Sequence, residues 1–133
     1  MSEAVPEALQ IDVSPAAEAA PALVVLSGEM DIVSAGSFIE TMTELEQSSP
    51  GGVVIDVAGL TFIDSSGINA LLQVAHAIAA RGGRAVVAAP STHVQRVFDI
   101  THVGDVVAVA ADRDEALRLA AVPLEPGAVA DDR

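Results

Sequence analysis

Two serines beside an aspartate, Asp64-Ser65-Ser66, are the residues of this sequence best placed to do chemistry. The apolar residues that follow recur at helical spacing, which predicts an amphipathic helix from Ser65 or Ser66 to about Arg81. A helix N-terminus presents free backbone N–H groups and the positive end of the helix dipole, so a phosphate on one of these serines would be well accommodated. Asp and Ser are also common N-cap residues, so the residues alone leave capping open as the other interpretation.

Nucleophilic catalysis fits these serines poorly. A nucleophile elbow needs glycine two residues before the serine, and those positions hold Ile63 and Asp64. No motif places a histidine as a base, and the three histidines (His76, His93 and His102) match no metal-ligand spacing. The chain also has no cysteine. We therefore predict a protein that is not an enzyme and that needs no metal or cofactor.

The charge of the chain limits its partners. Among 133 residues there are 19 acidic and 6 basic side chains, a formal net charge of −13. Such a chain repels phosphate backbones, and no basic stripe counters the repulsion, so direct nucleic-acid binding is not expected. The first residues resemble no signal peptide, and no apolar run reaches the roughly 18 residues of a membrane span. We expect a soluble, cytoplasmic protein without a membrane partner.

Hydrophobic periodicity predicts the elements that position the serines, in the order ββαβαβαβα. Alternating strands and helices imply a mostly parallel sheet, with one antiparallel pair at the start of the chain. The predicted strands are 9–13, 22–26, 53–57, 85–89 and 106–109. The predicted helices are 34–47 with Ser34 as its N-cap, 65–81, one capped by Ser91, and 113–121 opened by Asp112. Residues 58–64 are predicted to be a loop.

Two further blocks accompany the serines at a characteristic spacing. Gly28-Glu29-Met30-Asp31 ends the second predicted strand, and the run from Val94 to Thr101 lies in the third helix. Together with the run from Leu60 to Ile68 and the element order, they resemble the STAS family of anti-sigma factor antagonists over roughly residues 9–121. The resemblance implies an α/β sandwich of the STAS type, a mixed, mostly parallel sheet of about five strands with about four helices. It also implies one STAS domain (9–121). From the residues themselves we expect a flexible N-terminus (1–8) and a disordered C-terminal tail (122–133).

The resemblance also implies a function by partner switching. The unphosphorylated protein would bind an anti-sigma factor that is also a serine kinase, and so release a sigma factor. Phosphorylation of Ser65, the serine directly after the motif aspartate, would end the binding, and a serine phosphatase would reset the cycle. The residues implied to bind the partner are Glu29, Asp31, Asp64, Ser66, Gly67 and Asn69, the last standing where relatives often have glycine. The alternative is a stand-alone STAS subunit of a lipid-transport ATPase or of a stress-sensing scaffold complex.

Overall fold

Five strands form one mixed sheet in the computed structural model, which describes residues 8–16, 20–48 and 51–122. The strand order is β1-β2-β3-β4-β5, with β1 antiparallel to β2 and the other neighbours parallel. The strands are β1 Gln10–Ser14, β2 Ala22–Met30, β3 Val53–Ile63, β4 Ala85–Ala88 and β5 Ala108–Ala110. The helices are α1 Ile32–Ser48, α2 Ser65–Ala80, α3 Thr92–Thr101 and α4 Arg113–Ala120, with a short 3-10 helix at Val103–Asp105.

Alternation along the central strands divides the core between the two faces of the sheet. Val53, Ile55 and Val57 of β3 pack into the larger cluster, which also holds the buried residues of α1, α2 and α3. Val54 packs into a smaller cluster with buried alanines of α4. Side chains on a strand point alternately to opposite faces, so three helices cover one face and α4 covers the other.

The predicted fold class is confirmed by this architecture. The element order, the antiparallel pair at the start and the number of strands and helices agree with it. The predicted caps Ser91 and Asp112 are also confirmed, since their side chains accept hydrogen bonds from the backbones of Val94 and Glu115. Residues 1–7 and 123–133 of the predicted termini lie outside the described residues, so those two assignments stay predictions.

The loop predicted at residues 58–64 is wrong, because β3 continues to Ile63. β2 runs on to Met30, past its predicted end at residue 26, and keeps β3 paired as far as Ile63. Two irregularities of the pairing absorb the difference in length. Val25 pairs with Asp56 whereas Ser27 pairs with Gly59, so β3 has one residue more than β2 between these pairs; Thr61 is a second extra residue. Such bulges bend a strand and turn its following side chains.

The other corrections concern two element boundaries, the start of β5 and the start of α1. Val106 and Val107 belong to a turn rather than to β5, because their N–H groups donate hydrogen bonds to the carbonyl of Val103. Ser34 is not an N-cap but lies inside α1, which begins two residues earlier. Glu46 of the same helix is buried, since it continues the four-residue spacing of the buried Phe38 and Met42.

Candidate functional site

Two aspartates lie side by side at the edge of the sheet where β2 and β3 end. Met30 pairs with Ile63 in the parallel register, and Asp31 and Asp64 are the next residues of the two strands. The N–H of Asp64 donates to the carbonyl of Met30 over 3.2 Å, which ties the two chain segments together. The ends of the two strands therefore place Asp31 and Asp64 on one surface, called below the acidic rim and defined by these two aspartates.

Asp64 is the N-cap of α2. Its Oδ1 accepts hydrogen bonds from the N–H groups of Ser66 at 2.9 Å and Gly67 at 3.1 Å. The expectation that first-turn N–H groups are free for a phosphate is wrong for these two, because Asp64 already occupies them. A phosphate on the neighbouring Ser65 would have to displace Asp64 or remain in water.

Ser65 is the first residue of α2, and its side chain is exposed. Within the described ranges its hydroxyl has no hydrogen-bond partner, so nothing holds it against the protein. Ser66 is half-buried and Asn69 is exposed, one helical turn after Ser65. Of the two serines, Ser65 is therefore the one that a second protein can reach more easily.

Asp31 caps α1 through a reciprocal arrangement with Ser34. Its Oδ1 accepts hydrogen bonds from the N–H groups of Val33 at 3.0 Å and Ser34 at 3.1 Å. The Ser34 hydroxyl accepts from the N–H of Asp31 at 2.9 Å and donates to Asp31 Oδ1 at 3.1 Å. The backbone N–H of Ser34, followed by its hydroxyl, holds the pKa of Asp31 below its ordinary value. Asp is a preferred N-cap residue, so Asp31 directly before the helix was a cap signal available in the sequence.

Gly67 lies beneath the rim rather than on it. It is buried, and a Cβ at this position would approach Ile63 Cγ1 to 2.7 Å and Met30 Sδ to 3.0 Å. Its lack of a side chain allows the first turn of α2 to pack closely against the ends of β2 and β3. Glu29 lies within β2, half-buried and paired with the partly exposed Phe62. The structure thus brings Asp31, Asp64, Ser66 and Asn69 to the same end of the sheet, with Gly67 beneath them and Glu29 two residues before Asp31 in β2.

Two large apolar side chains next to the rim were missed by the sequence analysis. Ile32 and Val33 form the first turn of α1, directly after Asp31, and are 74% and 81% exposed. They fall outside the four-residue spacing of the buried face of α1, which was the available signal for their exposure.

Two other carboxylates are buried away from the rim, and each is paired with an arginine. Asp56 accepts a 2.8 Å hydrogen bond from Arg113 Nε of α4, and its other oxygen accepts one from the N–H of Ala58. Glu46 lies 3.4 Å from Arg81 Nε, so the pair joins the ends of α1 and α2. Burial raises the pKa of Glu46, and the charge of Arg81 opposes that rise.

The described part of the chain holds no group of three potential metal-ligating side chains. None of its helices has both the length and the hydropathy of a membrane span.

Several solved structures have the same fold at low sequence identity. An anti-sigma factor antagonist from Mycobacterium paratuberculosis is 22% identical with a TM-score of 0.76, the match covering 89% of this chain and 98% of that one. An anti-sigma-factor antagonist (STAS) domain protein from Planctomyces limnophilus is 23% identical with a TM-score of 0.66, covering 84% and 98%.

The Bacillus cell fate determinant SpoIIAA, an anti-sigma factor antagonist, is similar in two states. Its unphosphorylated form is 20% identical with a TM-score of 0.67, covering 86% of this chain and 98% of that one. Its phosphorylated form is 21% identical with a TM-score of 0.60, covering 84% and 98%. At these identities the likeness establishes the shared fold.

The family follows from the sequence itself. The family model for the STAS domain matches residues 10–116, which include every strand of the sheet and α1 to α3. That range also contains the acidic rim and Ser65. This chain belongs to the STAS domain family.

Proposed function

We propose that this protein is a cytoplasmic anti-sigma factor antagonist that works by binding a partner and not by catalysis. Unphosphorylated, it binds an anti-sigma factor that is also a serine kinase, and the bound sigma factor is released. The kinase transfers the γ-phosphoryl group of its ATP to the Ser65 hydroxyl, and the complex dissociates. A serine phosphatase hydrolyses the phosphoserine and restores the binding form.

The observation that carries this proposal is the exposed Ser65 hydroxyl beside the acidic rim. A kinase needs an accessible hydroxyl, and Ser65 is exposed at the start of α2 while Ser66 is half-buried. SpoIIAA, which has the same fold, exists in a phosphorylated form. Both points support Ser65 as the site of a regulatory phosphate in this chain.

The chemistry of the rim explains how one phosphate would end binding. A phosphoserine adds about −1.5 to −2 charge at neutral pH. In the free protein this group stays in water, because Asp64 occupies the nearby N–H groups of Ser66 and Gly67. In a complex it would be buried beside the carboxylate of Asp64, and an unpaired, desolvated phosphate costs several kcal/mol. A loss of about 2.7 kcal/mol already weakens binding a hundredfold.

Phosphorylation of site variants by purified kinases tests the proposal. Each anti-sigma-type serine kinase of the source organism is incubated with ATP and the unchanged protein, Ser65→Ala or Ser66→Ala. The phosphate is then located by fragmentation mass spectrometry. We expect one kinase to modify the unchanged protein and Ser66→Ala, but not Ser65→Ala. Modification that persists in Ser65→Ala and disappears in Ser66→Ala would overturn the assignment. Stable association with a transport ATPase, without any phosphorylation, would favour the alternative subunit role.

A further inference from the structure

The first turn of α1 exposes two adjacent apolar side chains where a polar surface would be more favourable. Ile32 and Val33 are 74% and 81% exposed. β-branched residues are only moderate helix formers, so helix propensity does not explain them. Single exposed apolar residues are common on protein surfaces and need no explanation. Ile32 and Val33, in contrast, are adjacent and border the acidic rim, so they form one small apolar surface beside it.

The pair is held rigidly next to the proposed phosphorylation site. The N–H of Val33 is donated to Asp31 Oδ1, and the reciprocal bonds with Ser34 fix the turn. The hydrogen bond from Asp64 N–H to the Met30 carbonyl joins this turn to the start of α2. A preformed turn loses little conformational entropy on binding, which favours contact with a partner.

The surroundings of the pair restrict what can cover it. Asp31 directly precedes it, and Asp64 belongs to the same acidic rim. A second copy docking by a two-fold axis would bring like charges together, and the whole chain carries a net charge of −13. A partner with an apolar depression bordered by Arg or Lys side chains is complementary in both respects.

We propose that Ile32 and Val33 form a specificity-determining contact for the anti-sigma kinase and dock into an apolar depression bordered by basic side chains. This inference rests on the proposed function. Ile32 and Val33 would then discriminate between kinases. Several kinases could bind the same kind of acidic rim, and charge alone would not distinguish them.

The test compares the double variant Ile32→Ser/Val33→Ser with two controls. Ile100→Ser removes a side chain of α3 that is 71% exposed. The exchange Ile32→Val/Val33→Ile keeps the patch apolar. For each protein we would measure calorimetrically the Kd of the unphosphorylated form for the purified kinase that modifies Ser65, with Mg-ADP present. We would also measure the KM and kcat of Ser65 phosphorylation and the thermal midpoint of each protein.

The double variant should bind at least about tenfold more weakly, with a raised KM, a kcat within about twofold and an unchanged midpoint. Both controls should behave as the unchanged protein. Equal Kd and KM for the double variant and the unchanged protein would overturn the inference while leaving the proposed function standing. A double variant that differs from the unchanged protein only in its oligomeric state would also overturn the inference. If no kinase bound or phosphorylated even the unchanged protein, the proposed function would fail and this inference with it.

Discussion

The acidic rim and the buried pair Asp56–Arg113 use carboxylates in opposite ways. At the rim, Asp31 and Asp64 accept hydrogen bonds from backbone N–H groups and keep their negative charge near the surface. Inside, Asp56 is 4% exposed and its charge is met by an arginine from α4. The buried pair fastens a helix to the sheet, whereas the rim orders two helix starts and leaves its charge available for a partner. Changes in one region should therefore alter stability, and changes in the other should alter binding.

The largest expected effect on stability comes from breaking the buried pair. Arg113→Met leaves the Asp56 carboxylate buried, and among the described residues the Ala58 N–H is then its remaining hydrogen-bond partner. Losing one member of a buried pair costs 3–5 kcal/mol, but Arg113 is 47% exposed, so we expect a loss of about 2 kcal/mol in the free energy of unfolding. Urea denaturation measures it, with the exposed Arg118→Met of the same helix as the control.

Adding Asp56→Asn to Arg113→Met should recover part of that loss, because no buried charge then lacks a partner. Kinase affinity should stay the same in all of these variants. Equal stability of Arg113→Met and Arg118→Met would show that the pair does not fasten α4.

A smaller effect is expected from a methyl group under the rim. Gly67→Ala gains up to about 1 kcal/mol of helix propensity. Its Cβ, however, crowds Ile63 and Met30, and overpacking costs about 1–3 kcal/mol. We expect a net loss of about 1 kcal/mol.

The matched substitution is Gly36→Ala in α1, where a Cβ meets nothing within 4 Å. It should stabilise the protein by about 0.5–1 kcal/mol. Thermal melts of both variants report the difference. Stabilisation by both substitutions would mean that the first turn of α2 can shift to make room for a methyl group at residue 67.

The smallest effects concern pH and have opposite signs for Asp31 and Glu46. Asp31 has a lowered folded pKa, so its contribution is present above the ordinary value of 3.8 and lost as pH falls through the folded value. Glu46 has a raised folded pKa, so its contribution is present below 4.5 and lost as pH rises through the folded value.

Carboxyl titration by NMR should show the pKa of Asp31 rising towards its ordinary value in Ser34→Ala. In chemical denaturation, Glu46→Gln should gain stability relative to the unchanged protein as pH rises from 4.5 through the folded pKa of Glu46. A pKa of Asp31 that does not respond to Ser34→Ala would show that the Ser34 hydroxyl does not stabilise the carboxylate. A stability difference for Glu46→Gln that is independent of pH would contradict the burial effect.

Local patterns predicted most of the fold because each depends on neighbours in sequence. The helical spacing of Ile68, Leu71, Ala75 and Ile78 and the cap at Asp64 led to α2 as it is observed. The second half of β3 was not predictable in this way, since its strand character comes from pairing with a partner about 30 residues earlier in the chain. The pairing of Asp56 with Arg113 was also hidden, because it joins residues 57 positions apart.

The same difference between local patterns and long-range packing applies to the candidate site. Local motifs predicted the aspartates of the rim and the serines beside it, and the family resemblance gave them a possible role. Neither of them predicted that Asp64 already occupies the N–H groups of Ser66 and Gly67, or that Ile32 and Val33 are exposed. Both depend on where α1 begins and on how the first turn of α2 meets the sheet.

In the proposed function, a phosphate on Ser65 ends partner binding by local electrostatics on a rigid surface. The most direct test is to measure the kinase affinity of the unmodified and Ser65-phosphorylated protein by calorimetry, together with backbone amide spectra of both free forms. We predict at least about a hundredfold weaker binding after phosphorylation, with amide shifts confined to the first turns of α1 and α2 and the ends of β2 and β3. Undiminished affinity, or shifts that spread across β4, β5 and α4, would contradict the account.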